Sequence, residues 1–317
     1  MQREQTMVVE NTQKILHQVR KVVVGKDKVL LWTLATILAG GHILLEDIPG
    51  VGKTTMALAF SKALSLSYNR VQFTPDVLPS DVTGYSVINQ NSGELVYKPG
   101  AVLCNLFLAD ELNRATSRTQ SALLEAMEEG QVTVDGVSHR LPAPFVVIAT
   151  QNPTGAAGTQ LLPDSQMDRF MVRLSLGYPS IQDEITMVTS RQGGDPLQSL
   201  KQVVSVGELA AMQQTVADTY MAPEVVRYVV ELVAATRQHE ALERGASPRA
   251  TLAVTAMSKA IAQLRGRDYV IPRDVQEVFA YTVEHRLLLT ARAESEGVTA
   301  GGVLQQILGQ ISAPKLR

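Results

Sequence analysis

The amino-acid sequence predicts an α/β core with a mostly parallel sheet and helices on both faces, followed by a small all-α domain. The first observation is that strand and helix signals alternate through the first half of the chain, as a covered parallel sheet requires. The second is that strand signals fade after Gly177-Tyr178-Pro179, where helix signals continue alone. A chain of 317 residues is long enough for both domains. The predicted boundaries are a core over 1–180 that includes an N-terminal helix, a linker over 181–205 and a helical domain over 206–317.

Helical spacing and strand-like apolar runs locate the elements of the core. Helices are predicted over 8–22, from Asp27 to about Ala39, over 54–64 and over about 116–129, with Gly130 ending the last. Buried strands are predicted over 42–45, 70–73, 103–109 and 145–150. Two β-hairpins are inserted in this frame, 82–88 with 94–98 and 131–134 with 137–141.

Prolines mark the helix starts of the second domain, because proline is favoured in a first helical turn. Helices are predicted to begin near Val206, at Pro223, at Pro248 and at Pro272. Ser247, directly before Pro248, is a suitable cap.

Composition limits the partners and the compartment. A formal net charge of −2 provides no basic field for nucleic acid, so no nucleic-acid partner is expected. The chain begins without the apolar region of a signal peptide, and Gly40-Gly41 interrupts the apolar stretch 29–45, so we expect a cytoplasmic protein without direct membrane insertion. Cys104 is the only cysteine, which we interpret as packing in a strand.

A phosphate-binding loop is the strongest motif. Residues 47–54 fit G-x-x-x-x-G-K-[ST] except at the first position, where Asp47 replaces glycine. Because a carboxylate facing phosphates would repel them, Asp47 is expected to point away into solvent. The residues predicted to hold the nucleotide are Gly50, Val51, Gly52, Lys53, Thr54 and Thr55. In this motif Lys53 reaches the β- and γ-phosphates and Thr54 binds Mg²⁺, so ATP and Mg²⁺ are the predicted cofactors.

Two carboxylates and an amide accompany the loop. Asp110 and Glu111 follow the predicted buried strand 103–109, and Asn152 follows the predicted strand 145–150. Alone, such a pair is usually a solvated turn and an asparagine before proline is usually turn chemistry. Joined to a phosphate loop, Asp110 is predicted to hold Mg²⁺ through water, Glu111 to polarise the attacking water and Asn152 to orient that water.

Longer stretches of sequence resemble one family. The three stretches are 72–84 (QFTPDVLPSDVTG), 109–134 (ADELNRATSRTQSALLEAMEEGQVTV), and ATQNP with the later LPDSQMDRF. With the motifs above, they resemble the MoxR family of AAA+ ATPases over roughly residues 23–289. The resemblance implies a P-loop NTPase core of the AAA+ type with a helical lid. The chain departs from the usual family text at Thr116-Ser117-Arg118, which is not expected to affect the chemistry.

The resemblance also implies roles for residues outside the loop. Asn152 corresponds to the first sensor, Arg169 to the arginine finger and Arg249 to the second sensor, which reports nucleotide state by moving the lid. Val24 and Gly25 lie in the segment that usually contacts adenine. An arginine finger that acts on a neighbouring subunit implies a homo-oligomer, most often a hexameric ring. An isolated arginine would more often be a surface ion-pair residue.

Three functions remain open from the sequence. The first is a remodelling ATPase that acts on a protein client, often one with a von Willebrand A domain. The second is the motor subunit of a metal chelatase, which shares the inserted hairpins. The third is a nucleic-acid motor, against which the neutral charge of the chain counts.

Overall fold

The computed structural model describes residues 2–91, 93–152 and 162–315. Pro153, from the predicted turn after Asn152, and Ser92, from the predicted turn of the first hairpin, lie outside the described residues. The helices are α1 (Gln2–Arg20), α2 (Asp27–Leu38), α3 (Lys53–Ala63), α4 (Pro79–Thr83), α5 (Ser117–Glu129), α6 (Asp164–Met167), α7 (Ile181–Arg191), α8 (Val206–Ala217), α9 (Pro223–Thr236), α10 (Pro248–Leu264), α11 (Pro272–Val283), α12 (Ala291–Ser295) and α13 (Ala300–Gln310). The strands are β1 (Ile43–Glu46), β2 (Tyr68–Gln72), β3 (Gly84–Ile88), β4 (Leu95–Pro99), β5 (Leu106–Asp110), β6 (Gln131–Val134), β7 (Val137–Arg140), β8 (Val146–Gln151), β9 (Val172–Leu174), β10 (Leu242–Arg244) and β11 (Leu288–Leu289).

Five parallel strands form the central sheet in the order β2-β5-β8-β1-β9. Residues of β1, β5 and β8 are almost wholly buried, which explains their continuous apolar runs. Since all the strands are parallel, their carboxyl ends lie along one edge of the sheet. The fold class predicted from the sequence is confirmed. β9 was not predicted, because three residues are too few for a periodicity signal.

The predicted hairpins are present as β3–β4 and β6–β7. In the second, Asp135 and Gly136 both have positive φ, as a tight hairpin turn requires. The residues before the first hairpin form the short helix α4 instead of extending its strand to residue 82. The two hairpins meet where the ring of Tyr97 stacks on His139, with centroids 3.7 Å apart.

The second domain is helical, and its predicted helix starts at Val206, Pro223, Pro248 and Pro272 are confirmed. The hydroxyl of Ser247 accepts a hydrogen bond from the N–H of Arg249, as expected for a cap. One small addition is the antiparallel pair β10–β11.

Two further local predictions differ from the structure. The strand predicted over 103–109 begins only at Leu106, so Cys104 lies in the preceding turn and not in a strand, although it is buried there. The predicted linker contains α7, whose start is fixed by a capping box between Ser180 and Asp183.

The helical domain and the α/β core share one hydrophobic cluster. Buried side chains from α1, α2, α3 and one face of the sheet are continuous with those from α8 to α11. At the contact, the ring of Trp32 in α2 lies 4.7 Å from that of Tyr281 in α11. Among the described residues, no helix is both long and apolar enough to cross a membrane.

Candidate nucleotide site

The loop between β1 and α3 has the backbone of a phosphate-binding loop. Gly50 and Gly52 have φ values of 87° and 98°, in the left-handed region that glycine adopts without steric cost. Gly52 directly precedes Lys53, the first residue of α3. The unpaired N–H groups of the first helical turn, together with the helix dipole, therefore favour an anion at this point.

The Lys53 side chain is held inside this loop. It is 7% exposed, and its Nζ donates a hydrogen bond to the carbonyl oxygen of Asp47 at 2.7 Å. Burial lowers the pKa of Lys53, while the carboxylates of Asp47, Asp110 and Glu111 act in the opposite direction. A triphosphate in the loop would add negative charge at the same place and favour the charged amine.

Asp47 turns away from the loop, but the prediction that it points into solvent is wrong. It is 5% exposed. Its carboxylate accepts hydrogen bonds from the Ser175 hydroxyl at 2.8 Å and from the N–H groups of Leu176 and Gly177 at 2.6 and 3.0 Å. These three donors, just after β9, satisfy the charge within the protein. The contact ties the phosphate loop to the segment that leads into α7.

Two of the predicted catalytic side chains, those of Glu111 and Asn152, meet at the carboxyl edge of the sheet. Glu111 follows β5 and Asn152 follows β8, the neighbouring strand, which also pairs with β1. Asn152 Nδ2 lies 3.4 Å from Glu111 Oε1, and Arg114 Nη1 donates to Oε2 at 2.8 Å. Glu111 has a φ of 56°, a left-handed conformation that costs about 1–3 kcal/mol for a residue with a side chain. Such strain is typical of positions where function fixes the side chain.

Thr150 and Arg70 complete this arrangement, and no sequence motif indicated either. The Thr150 hydroxyl donates to Asp110 Oδ1 at 2.7 Å and accepts the N–H of Glu111 at 2.8 Å. Arg70 in β2 pairs with the other oxygen of Asp110 at 2.8 Å. Both contacts depend on the pairing of β5 with its two neighbours, which is information about strand order and not about local sequence.

The residues present fit magnesium. Thr54 and Asp110 supply a hydroxyl and a carboxylate, the hard oxygen ligands that Mg²⁺ uses alongside water and substrate phosphates. Among the described residues there is no cluster of three or more metal-binding side chains. The side chains available are therefore of the kind that Mg²⁺ uses when a nucleotide provides the remaining ligands.

The segment predicted to contact adenine lies against the start of α7. Gly25 has a φ of 72°, which favours glycine, and an added Cβ there would lie 2.1 Å from a carboxylate oxygen of Asp183. Lys26 Nζ donates to the carbonyl oxygen of Tyr178 at 2.8 Å. Tyr178 also lines a groove with Pro49, Gly50 and Val51, so the segment that Gly25 and Lys26 contact borders the phosphate loop.

A second cluster unites the two predicted arginines. Arg169 Nη2 lies 3.3 Å from one carboxylate oxygen of Glu128, and Arg249 pairs with the other oxygen. The neighbouring Asp168 accepts hydrogen bonds from Ser247 Oγ and Arg286 Nε, both at 2.8 Å. Arg286 is buried, and it also donates to the carbonyl oxygen of Phe170 at 2.8 Å. Residues of the lid therefore hold the loop that carries Arg169.

This arginine cluster is at the opposite end of β1 from the phosphate loop. Arg169, Arg249 and Glu128 line a cleft together with Gly40, Gly41 and His42, which precede β1. The phosphate loop follows β1, whose four residues span roughly 13 Å. The structure therefore brings Arg249 to Arg169 and not to the phosphate loop of its own chain.

Comparison with known proteins gives one consistent family. Residues 42–172 match the ATPase family associated with various cellular activities (AAA), and residues 234–307 match the AAA lid domain. Protein YeaC of Bacillus subtilis strain 168 is 43% identical over 304 residues, covering 96% of this chain and 95% of that protein. Chaperone MoxR1 of Mycobacterium tuberculosis is 38% identical over 317 residues, covering 97% and 84%. A crystal structure from Cytophaga hutchinsonii superposes with a TM-score of 0.91 at 35% identity, covering 99% and 98%.

Proposed function

Because the chain belongs to the MoxR family of AAA+ ATPases, we propose that it hydrolyses ATP with Mg²⁺ at a site completed by a neighbouring copy of the chain. The observation that carries the proposal is the convergence of Lys53, Asp110 and Glu111 on one edge of the sheet. Buried lysine, paired carboxylates and a helix N-terminus together form the surroundings that phosphoryl transfer requires.

Each of the residues at the site has a distinct part in this proposal. The backbone of the phosphate loop and Lys53 bind the β- and γ-phosphates, while Thr54 and Asp110 hold Mg²⁺. The metal, when bound, neutralises the charge that develops on the phosphate oxygens. Glu111 orients and polarises the attacking water, and Asn152, 3.4 Å away, helps to fix the carboxylate and the water.

The arginine cluster supports a site shared between subunits. Since β1 separates Arg169 and Arg249 from the phosphate loop of the same chain, these arginines can stabilise a γ-phosphate only in another chain. We propose that both arginines act in this way in a ring, most simply a hexamer. Such a contact joins two different surfaces, as a closed ring of identical subunits requires.

For the biological role, we propose that hydrolysis changes the conformation of a protein client, of the class with a von Willebrand A domain. A relative, MoxR1, is named a chaperone. Exposed apolar side chains on the hairpins, such as Ile88, Leu95 and Val137, offer a surface for protein contact. The nucleic-acid alternative predicts stimulation of the ATPase rate by DNA, whereas the remodelling and metal-chelatase functions both involve an A-domain partner. Adding DNA or an A-domain protein to the assay therefore separates the nucleic-acid motor from the other two.

The shared site predicts a steady-state ATPase rate that depends on protein concentration. As dilution separates the subunits, the activity per subunit should fall, because each phosphate site loses the arginines of its neighbour. The measurement is the initial rate of phosphate release with saturating MgATP over a wide range of protein concentration. A rate per subunit that stays constant while sedimentation shows dissociation would contradict the shared site.

Glu128→Gln is expected to lower the ATP concentration that gives half the maximal rate. In the free subunit, Glu128 pairs with both arginines and so competes with the γ-phosphate of the neighbour. These two partly exposed ion pairs contribute about 0.2–1 kcal/mol each, so we expect a shift of about 2- to 30-fold. The neighbouring Glu129→Gln, which removes an exposed charge from the same helix end, is the control and should leave the curve unchanged.

A further inference from the structure

We propose that an exposed apolar stripe on α7 binds the lid helix α10 of the next copy of this chain, at Leu252. The stripe consists of Ile181, Ile185 and Val188. This inference rests on the proposed sharing of the ATPase site between subunits, and it assigns a function to the helix that the sequence alone did not predict.

Among the described residues of its own chain, the stripe is largely uncovered. Ile181, Ile185 and Val188 are 81%, 52% and 67% exposed, and α7 contains no buried residue. Their spacing of four and then three residues places them on one face of the helix. A helix that presents its apolar face to solvent is expected to bind another surface.

The stripe lies beside the nucleotide site. Val188 and Tyr178 line a groove together with Pro49, Gly50 and Val51 of the phosphate loop. Asp47 reinforces this placement, because its carboxylate fastens the phosphate loop to the backbone of Leu176 and Gly177, just before α7. α7 therefore borders the phosphate loop, and a neighbouring chain that contacts this loop can reach the stripe.

The complementary feature is Leu252 on the lid. It is 71% exposed and follows Arg249 by three residues in α10, so the two side chains lie on the same face of the helix, about 4.5 Å apart along its axis. Both line the cleft that also contains Arg169. A subunit that brings Arg249 to the phosphates of its neighbour must bring Leu252 to the same region.

Charge complementarity fixes the orientation of this contact and indicates that a second copy of the chain binds the stripe. The two arginines beside Leu252 complement a triphosphate in the loop beside the stripe, and the two clefts of one chain share no lining residue. A second copy of this chain satisfies the polar and the apolar contact at once. The interface would then consist of an electrostatic centre with an apolar contact next to it.

Cysteine crosslinking tests the contact directly. The variant carries Leu252→Cys and Ile185→Cys, the centre of the stripe, and is treated with a short bismaleimide in the presence of MgATP. The native Cys104 does not interfere, because it is 1% exposed and burial raises the pKa of its thiol to about 12. Each copy should link to the next, giving a ladder of covalent oligomers on a denaturing gel.

The matched control pairs Leu252→Cys with Thr186→Cys. Thr186 is also exposed, but it lies about 100° round the helix from Ile185. We expect at least several-fold more crosslinking for the 252/185 pair than for the 252/186 pair. Equal or no crosslinking in both, in protein whose ATPase rate still depends on concentration, would overturn the α7 contact and leave the shared site standing.

A second measurement separates the two proposals further. Ile185→Asp should raise the protein concentration needed for half-maximal ATPase rate by about tenfold or more, while ATP binding to each subunit stays unchanged. Ile185→Leu should restore assembly. If Ile185→Asp assembles as the wild type does, the stripe is not an interface. If the wild-type rate itself is independent of concentration, it is the proposed function that fails.

Discussion

Glu111→Gln is expected to bind ATP as the wild type does and to hydrolyse it about 100- to 10,000-fold more slowly, the usual range for loss of a general base. The amide keeps the shape of the side chain and its contact with Asn152, but it cannot polarise the attacking water. Asp110, Lys53 and Thr54 are unchanged, so the phosphates and Mg²⁺ keep their ligands. Binding measured with a fluorescent ATP analogue, beside phosphate release in the same sample, separates the two effects.

Lys53→Ala is the matched control, because it removes charge from the loop itself. It should lose both binding and turnover, whereas Glu111→Gln loses turnover alone. If Glu111→Gln keeps more than about a tenth of the wild-type rate, the carboxylate is not the base and another group must orient the water. Thr150, whose hydroxyl links Asp110 to the backbone of Glu111, would be the first residue to examine.

Arg169→Ala is expected to reduce the rate by about 1,000- to 100,000-fold, the range for loss of an arginine that stabilises charge on a transferring phosphoryl group. ATP binding by the isolated subunit should be unaffected, since the arginine lies at the other end of β1 from the phosphate loop. Neither Arg169→Ala nor Lys53→Ala should be active alone.

Mixing these two inactive variants provides the decisive result. In a mixed ring, an Arg169→Ala subunit still has a complete phosphate loop, and a Lys53→Ala neighbour still supplies its arginine. Such a pair forms one complete site, so the mixture should regain a clear fraction of wild-type activity. Glu111→Gln mixed with Lys53→Ala is the control, because both changes damage the same half of the site and no restored site can form. Activity in the control mixture, or none in the test mixture, would contradict a site shared between chains.

The features that could be predicted from the sequence are those that depend on residues close together in the chain. Proline and serine fixed the starts of the lid helices, since capping and first-turn geometry involve only neighbouring residues. The phosphate loop was recognisable because the backbone conformation of Gly50 and Gly52 and the position of Lys53 follow from consecutive residues. The convergence of Glu111 and Asn152 could also be expected, because parallel strands end at a common edge.

Contacts between distant segments were not predictable in the same way. The burial of Asp47 depends on donors more than a hundred residues later in the chain. Glu128 pairs with arginines from two domains, and its own surroundings in the sequence are a run of ordinary helix residues. α7 was overlooked although Ser180 and Asp183 form a capping box, because its apolar residues are exposed and the nearby glycines suggested a loop.

The common hydrophobic cluster of core and lid has a mechanical consequence. Helices α2 and α10 bury their side chains against each other, and Trp32 packs on Tyr281 across the same junction. Opening a hinge between them would expose that cluster to water, which is unfavourable. Under the proposed function, the core and lid of each subunit would then move together as one rigid body, and the motion would occur at the nucleotide between neighbouring subunits. Work delivered to a client would come from the angle between whole subunits.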